Sequence, residues 1–289
     1  GGRIYAQIWH VGRVSHLSLQ DGQQPPVSST DRPAEGPRTF AYAWRDDGSV
    51  GFVAPSVPRA LTTEEIARVV ADYAHAAKQA IRAGFDGVEL HGAHGYLICQ
   101  FFSPEINLRD DDYGGAIENR SRILFEIIDG VRAVTKPGFS LGVRLSPERF
   151  GLRLDDILTI AQRLMTEERI DYLDMSLWDC FKPPVGAGPG EKTLVDLFGA
   201  LPRGKTKLGA AGKILTRTDC QRAMDAGLDY VVIGRGAILH HDFPNKVAAD
   251  PGFVPIALPV PEEHLKAEGL GPAFLNYMKT WKGFVAEPA

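Results

Sequence analysis

Two histidines and a tyrosine lie close together at the end of an apolar run. His91, His94 and Tyr96 directly follow the strand-like stretch Asp86–Leu90. Imidazole can donate hydrogen bonds to a carbonyl oxygen, and a phenol can deliver a proton. This set of side chains suits the reduction of a polarised double bond. Since none of the three can donate hydride, the sequence predicts a bound redox cofactor.

The same three residues have other interpretations. His91 and His94 are three positions apart, so they could also converge on a metal ion or be satisfied by backbone groups at a helix start. Tyr96 could be a core tyrosine with a satisfied hydroxyl group.

Two polar residues lie within apolar strand-like runs. Arg144 lies near the end of the run Leu141–Leu145. An arginine there needs an anion or a dipole because a buried unpaired charge is very costly. It could pair with a carboxylate such as Glu89 or stabilise a negatively charged cofactor ring. Gln7 could satisfy a backbone group, or its amide could bind the amide edge of a ring.

Glycine turns follow the last two strand-like runs. They are Gly212-Lys213 and Gly234-Arg235. Backbone N–H groups at a glycine turn and a bidentate arginine suit a dianion. Barrels of parallel strands commonly bind phosphate after their last two strands, so these residues are candidates for a phosphate site.

Strand-like runs alternate with amphipathic helical patterns along most of the chain. The runs are apolar throughout, which indicates a parallel sheet with helices outside it. There are six runs, at Ile4–Trp9, Phe85–Leu90, Ser140–Leu145, Asp171–Ser176, Lys207–Ala211 and Asp229–Gly234. A (βα)8 barrel has eight strands. We therefore predict an α/β fold of the TIM-barrel type, whose first two strands would precede Gly1.

The helices and loops are predicted from capping and periodicity. The first long helix starts near Thr62, which forms a capping box with Glu65, and ends at Gly84. A second covers about Glu118–Val134. The segment His10–Pro58 has little periodicity and reads as a long irregular excursion.

The chain divides into a barrel and a tail. Residues 1–247 are predicted to form an N-terminally incomplete cofactor-binding barrel with strands 3–8, and residues 248–289 a C-terminal extension. In the extension, His264–Trp281 could be a helix interrupted at Gly269–Pro272.

The bulk composition narrows the function classes. The net charge of −4 argues against a basic face for nucleic acid or an anionic membrane. No apolar run approaches the length of a membrane span. The three cysteines are far apart, odd in number and without a C-x-x-C pair, which argues against disulfides, zinc or an iron–sulfur cluster and favours a reducing cytosol.

The sequence resembles the Old Yellow Enzyme family of FMN-dependent oxidoreductases up to about Asn245. The resemblance rests on several motifs together: Gln7–Arg13, His91–Leu97, Gln100–Pro104 continuing to Arg109, Tyr113–Gly115 through Glu118–Arg120, and Val143–Pro147.

This resemblance implies a (βα)8 barrel with non-covalent FMN, reduced by NAD(P)H. The reduced flavin would pass hydride to the β-carbon of an α,β-unsaturated carbonyl compound, an enone-type substrate. His91 and His94 would bind the acceptor oxygen, although some members carry Asn at the second position, and Tyr96 would be the proton donor. The resemblance also implies that Trp9 lines the substrate pocket, that Gln7 and Arg144 bind the flavin ring, and that Gly212, Lys213, Gly234 and Arg235 hold its phosphate. Homo-oligomerisation is a further possibility.

Two alternatives differ in class. A metal-dependent hydrolase on the same barrel would use His91 and His94 as ligands, with Asp174 or Asp179 as a third. Arg144 would repel such a cation, and we therefore expect no metal. The second alternative is a non-catalytic remnant of the family that does not retain FMN.

Overall fold

A computed structural model describes residues 2–36, 39–45, 47–188 and 190–287. In chain order its strands are β1 (Tyr5–Ile8), β2 (Val27–Ser28), β3 (Ala41–Trp44), β4 (Val50–Val53), β5 (Arg59–Ala60), β6 (Gly87–Gly92), β7 (Ser140–Leu145), β8 (Tyr172–Ser176), β9 (Lys207–Ala211) and β10 (Tyr230–Val232). Its helices are α1 (Thr63–Arg82), α2 (Leu97–Phe102), α3 (Ile117–Arg120), α4 (Arg122–Val134), α5 (Leu154–Thr166), α6 (Leu194–Gly199), α7 (Arg217–Asp225), α8 (Arg235–Leu239), α9 (Phe243–Ala249), α10 (Glu262–Ala267) and α11 (Pro272–Lys279).

The chain forms two compact units. The first comprises Gly1–Ser176, Pro184–Ala187 and Leu201–Leu208, and the second comprises Leu177–Pro183, Gly188–Ala200 and Gly209–Ala289. The domain boundary near residue 247 that the sequence predicts remains a prediction, and its outer limits, Gly1 and Ala289, lie outside the described residues.

Four parallel strands form the centre of the first unit. β1 pairs with β6, β6 with β7, and β7 with β8. Val88, Leu90, Leu141 and Val143 on these strands are fully buried. This burial explains why the strands read as apolar runs.

Two tyrosine rings lie directly over glycines of the neighbouring strands. A Cβ at Gly87 would lie 2.3 Å from the Tyr5 ring, and a Cβ at Gly142 would lie 2.0 Å from the Tyr172 ring. Only glycine leaves room for these rings, which lie 5.7 Å apart, centroid to centroid. The arrangement fixes Tyr172 beside the polar groups that follow on β6 and β8.

Helices cover the first unit's strands as predicted. α1 begins with the capping box of Thr62 and Glu65, and its buried face packs against α4. The predicted helix Glu118–Val134 is divided at Ser121, whose hydroxyl group donates a hydrogen bond to the Glu118 carbonyl oxygen. Such a local bond competes with regular helical bonding and explains why one predicted helix is observed as two.

The second unit has its own parallel pair and its own apolar cluster. β9 pairs with β10, with Tyr230 opposite Gly209. Beyond them α10 and α11 contribute to a cluster of buried side chains: Leu239, Val260, Leu265, Leu275, Met278 and Phe284. The predicted interruption of the C-terminal helix is confirmed, because α10 ends before Gly269 and α11 starts at Pro272.

All six predicted parallel strands are present in the described residues. The prediction for His10–Pro58 was wrong in one respect: β3 and β4 form an antiparallel hairpin there. Alternating aromatic residues at Phe40, Tyr42 and Trp44 carried that signal, but their side chains are exposed, and the buried face of β3 consists of the small residues Ala41 and Ala43. In the described part of the chain, no helix combines the length and the apolar composition that crossing a bilayer requires.

Candidate active site

The turn between β6 and α2 brings the histidines and the tyrosine together. His94 and Gly95 both have positive φ, 59° and 76°. The His94 backbone N–H donates a 3.0 Å hydrogen bond to Ser146 Oγ, which follows β7. A Cβ at Gly95 would lie 2.9 Å from the Phe150 ring, so the turn is held closely against the segment after β7. The unusual backbone of His94 is thus supported by its neighbours.

Four aromatic rings form one cluster at this turn. The His91 and His94 ring centroids are 4.9 Å apart, and those of His91 and Tyr96 are 5.3 Å apart. Trp9, just after β1, packs edge-on against Tyr96 at 4.8 Å and is 53% exposed. The two imidazoles, the phenol and an indole therefore face a common region that is open to solvent beside Trp9.

Both histidines are held in the neutral form. Burial lowers the pKa of His91 to about 3, with further contributions from His94 and from the positive charge of Arg144. The pKa of His94 is lowered to about 4, mainly by desolvation in the surrounding protein and further by the charge of Arg144. Part of the His94 residue is nevertheless exposed to solvent. Neutral imidazoles have one N–H donor each. The pair therefore suits hydrogen bonding to an oxygen rather than binding an anion by charge.

Arg144 is anchored through one side of its guanidinium group. Its Nε donates to Ser176 Oγ at 2.7 Å and lies 3.2 Å from Asp174 Oδ2. The two terminal nitrogens have no partner among the described residues, and 23% of the side chain is exposed. The carboxylate partner is Asp174 rather than Glu89, and the free end of the group remains available to an anion.

Gln7 and Glu89 form a second polar pair on neighbouring strands. The Gln7 amide Nε2 donates to Glu89 Oε1, opposite in the strand register. Burial raises the pKa of Glu89, while the bond from Gln7 and the charge of Arg144 act in the opposite direction. The bond orients the Gln7 amide, and within the described residues its oxygen atom and its second N–H have no other partner.

The second unit contains the two glycine turns. A Cβ at Gly212 would lie 2.8 Å from the Cys180 backbone nitrogen, so only glycine fits this close approach. Lys213 Nζ lies 2.7 Å from Asp179 Oδ2, and its charge is therefore compensated. Gly234 directly precedes α8, and Arg235 has no ion-pair partner within the described ranges. Arg235 is thus the uncompensated cation of this group.

The structure places the predicted residues in two sets. The first unit brings together Gln7, Trp9, His91, His94, Tyr96 and Arg144, and the second contains Gly212, Lys213, Gly234 and Arg235. Sequence reasoning missed Ser176 as an anchor of Arg144 and considered Asp174 only as a metal ligand. The register was the missing signal, because it places Asp174 opposite Arg144.

The metal alternative requires a third ligand near the two histidines. Two groups of three described side chains have ligand atoms within 4.8 Å of one another: His240, His264 and Glu268, and His241, Asp242 and Glu268. Neither group includes His91 or His94. In the first group, His240 Nε2 accepts a bond from the Ile256 backbone N–H, so Nδ1 carries the proton and is not free to ligate.

Comparisons with known proteins show the family of the chain. The NADH:flavin oxidoreductase / NADH oxidase family matches residues 1–250. The chain is 35% identical over 256 residues to 12-oxophytodienoate reductase 2 of Arabidopsis thaliana, covering 86% of this chain and 65% of that protein. It thus spans about two thirds of the length of this curated relative.

Two solved structures have a similar fold. A structure of morphinone reductase in complex with tetrahydroNAD has a TM-score of 0.75 and 36% identity, covering 91% of this chain and 69% of that one. The Old Yellow Enzyme homologue from Zymomonas mobilis has a TM-score of 0.72 and 30% identity, covering 89% and 70%. These similarities confirm the predicted fold class, an α/β barrel of the (βα)8 type.

Proposed function

Because the chain belongs to the NADH:flavin oxidoreductase / NADH oxidase family, we propose that it is the core of an FMN-dependent ene-reductase. The predicted resemblance to Old Yellow Enzymes is confirmed by the same match. Bound FMN would supply the hydride chemistry, taking hydride from NAD(P)H and giving it to the β-carbon of an α,β-unsaturated carbonyl compound.

The donor set of the first unit fits a flavin ring. Arg144 offers two unpaired terminal nitrogens to a group that gains negative charge, and Gln7 offers an oriented amide oxygen and N–H to a ring with an amide edge. We assign both side chains to the ring. In the second unit we assign the phosphate to the backbone of Gly212 and Gly234, to Lys213 through its backbone, and to the Arg235 guanidinium group.

The aromatic cluster would bind and protonate the substrate. His91 and His94, both neutral, would donate hydrogen bonds to the acceptor oxygen and stabilise the charge that develops on it. Tyr96 would deliver a proton to the α-carbon, next to the β-carbon that receives the hydride. Trp9, exposed beside Tyr96, would line the pocket and limit the shapes that enter it.

One observation carries this proposal: two neutral imidazoles and Tyr96 cluster on the same unit as an arginine whose outer nitrogens are unpaired. The test is an absorbance spectrum of the purified protein, followed by addition of NAD(P)H and then of a cyclic enone. We expect a flavin spectrum that bleaches with the nicotinamide and returns with the enone. A colourless protein that does not take up added FMN would overturn the proposal.

The same experiment separates the alternatives. A metal-dependent hydrolase would contain stoichiometric zinc and no flavin, and it is not favoured because neither metal-like cluster includes His91 or His94. A non-catalytic remnant would lack flavin, and the intact mass of the natural protein, near 31.5 kDa in that case, would identify it.

We also propose where the protein resides and how its chains could associate. The three cysteines are free in the described residues, and we propose the cytosol as the compartment. Light scattering would test for a homo-oligomer, and cell fractionation would test the compartment.

A further inference from the structure

Asp174 is a buried carboxyl group that the proposed reaction does not use. It lies on β8 directly opposite Arg144 of β7 in the strand register and is only 3% exposed. Its Oδ2 lies 3.2 Å from Arg144 Nε, which Ser176 Oγ also contacts at 2.7 Å. Its other oxygen, Oδ1, is buried without a hydrogen-bond partner in the described part of the chain. An unsatisfied buried carboxylate oxygen is costly and needs an explanation.

A buried and a half-buried carboxyl group share one cation at this position. The charged and titratable groups that act on Asp174 are Arg144 on β7, Glu89 on β6 and Tyr172 on its own strand. The Tyr172 hydroxyl group hydrogen-bonds Glu89, which also accepts the bond from Gln7. The ionisation of Asp174 therefore decides how much of the positive charge of Arg144 is compensated.

The titration of Asp174 falls in the range where this matters. Burial raises the pKa of Asp174 to about 7; Arg144 opposes this shift and the negative charge of Glu89 adds to it. Protonation would also give the carboxyl group an O–H donor and reduce the cost of the unsatisfied oxygen. The side chain therefore exchanges its proton near neutral pH.

We propose that Asp174 is a positioning residue that sets how much positive charge Arg144 presents to the flavin, and so how strongly the protein prefers reduced over oxidised FMN. This inference rests on the proposed function. Ionised Asp174 compensates the positive charge of Arg144 and weakens this preference. Protonated Asp174 does not compensate that charge and so strengthens the preference. The reduction potential of the bound flavin would therefore depend on the charge of a residue that is held behind Arg144.

The test compares the FMN reduction potential of the wild-type protein and Asp174→Asn as a function of pH. Asparagine imitates the neutral acid at every pH. We expect the potentials to agree at pH 5.5 and the variant to have the higher potential at pH 8.5. The difference in potential at pH 8.5 should correspond to a change on the order of tenfold in the ratio of two affinities, that for reduced FMN over that for oxidised FMN. A difference that is equal at both pH values would mean that Asp174 has only a structural role and would overturn the inference.

Ser176→Ala is the matched control. It removes the other anchor of Arg144 Nε without changing any charge, so any shift in potential should be independent of pH. If Asp174→Asn does not fold, NMR of the wild-type protein labelled with 13C at aspartate carboxyl groups decides instead. Finding no buried aspartate that titrates between about pH 6 and 8 would then contradict the inference.

The outcomes for the two proposals can be distinguished. A wild-type protein that binds no FMN refutes the proposed function. A protein that binds FMN and bleaches with NAD(P)H, but whose potential differs from that of Asp174→Asn by a constant amount, refutes only the role of Asp174.

Discussion

The His91 and His94 rings lie 4.9 Å apart, centroid to centroid, at an interplanar angle of 67°. The spacing allows the N–H groups of both rings to reach one acceptor atom without stacking on each other. Both rings are neutral because Arg144 and the surrounding protein disfavour added positive charge. The pair is therefore built to donate hydrogen bonds, and its loss has measurable consequences.

Replacing both histidines should abolish the binding of phenolic ligands. His91→Ala with His94→Ala removes two donors to the ligand oxygen, and we expect affinity for phenol to fall by at least about tenfold. Isothermal titration calorimetry with phenol measures this. His75→Ala, at an exposed position on α1, is the control and should leave the affinity unchanged. Unchanged phenol affinity in the double variant would refute the assigned role.

The same pair should make the protein less stable in acid. A histidine whose pKa is lower in the folded state contributes stability that is complete above about pH 6.5 and is lost as the pH falls towards its folded value, here about 3 for His91. The unfolding free energy should therefore fall more steeply with acid in the wild-type protein than in His91→Asn with His94→Asn. For buried His91 the difference in slope is up to about 1.4 kcal/mol per pH unit. Chemical denaturation between pH 7 and 4 measures it, and parallel slopes would contradict the pKa shifts.

The sequence predicted which side chains lie close together better than it predicted their partners. His91, His94 and Tyr96 are neighbours in the chain, so a single local turn brings them together. The partner of Arg144 depends on strand register, which apolar runs do not specify because the residues of β7 and β8 are buried or half-buried on both faces. The contacts of Asp174 and Ser176 with Arg144 were therefore beyond sequence reasoning, although the strand that contains both residues was predicted correctly.

The hairpin of β3 and β4 was missed for a related physical reason. Its aromatic side chains, such as Tyr42, alternate in sequence but face solvent. A pattern argument assumes that the large apolar residues mark the buried face, whereas in β3 the buried positions are the small residues Ala41 and Ala43. Capping boxes do not depend on burial, which is why the start of α1 was predicted within one residue.

Removing the Tyr96 hydroxyl group should affect only one half of the reaction. Tyr96→Phe should slow flavin reoxidation by a cyclic enone by about 10²- to 10⁴-fold, because it removes the proposed proton donor. Flavin reduction by NAD(P)H should remain nearly unchanged. Stopped-flow absorbance measures each half separately. Tyr42→Phe, on the exposed hairpin, is the control, and an equal loss in both halves for Tyr96→Phe would exclude the assigned role.

Two glycines offer a matched test of the second unit. Gly212→Ala places a Cβ 2.8 Å from the Cys180 backbone nitrogen, whereas Gly234→Ala meets nothing within 4 Å. We expect Gly212→Ala to lower the free energy of unfolding by about 1–3 kcal/mol, and Gly234→Ala to have a much smaller effect. Thermal and chemical denaturation of both variants provide the comparison. Equal stability of the two would mean that the turn at Gly212 relaxes freely.

Arg144→Ala should lose the flavin. The side chain is the cation with free donors on the first unit's site, and removing a charged hydrogen-bonding partner should weaken FMN binding by at least about tenfold. Flavin content after desalting and titration of the apoprotein with FMN measure this. Arg68→Ala, at an exposed position on α1, is the control.

Because Arg144→Ala also leaves Asp174 buried without its counter-ion, the variant could unfold for a reason unrelated to FMN. Arg144→Ala combined with Asp174→Asn removes both charges and avoids this cost, so a folded double variant with normal flavin content would show that Arg144 does not bind the ring.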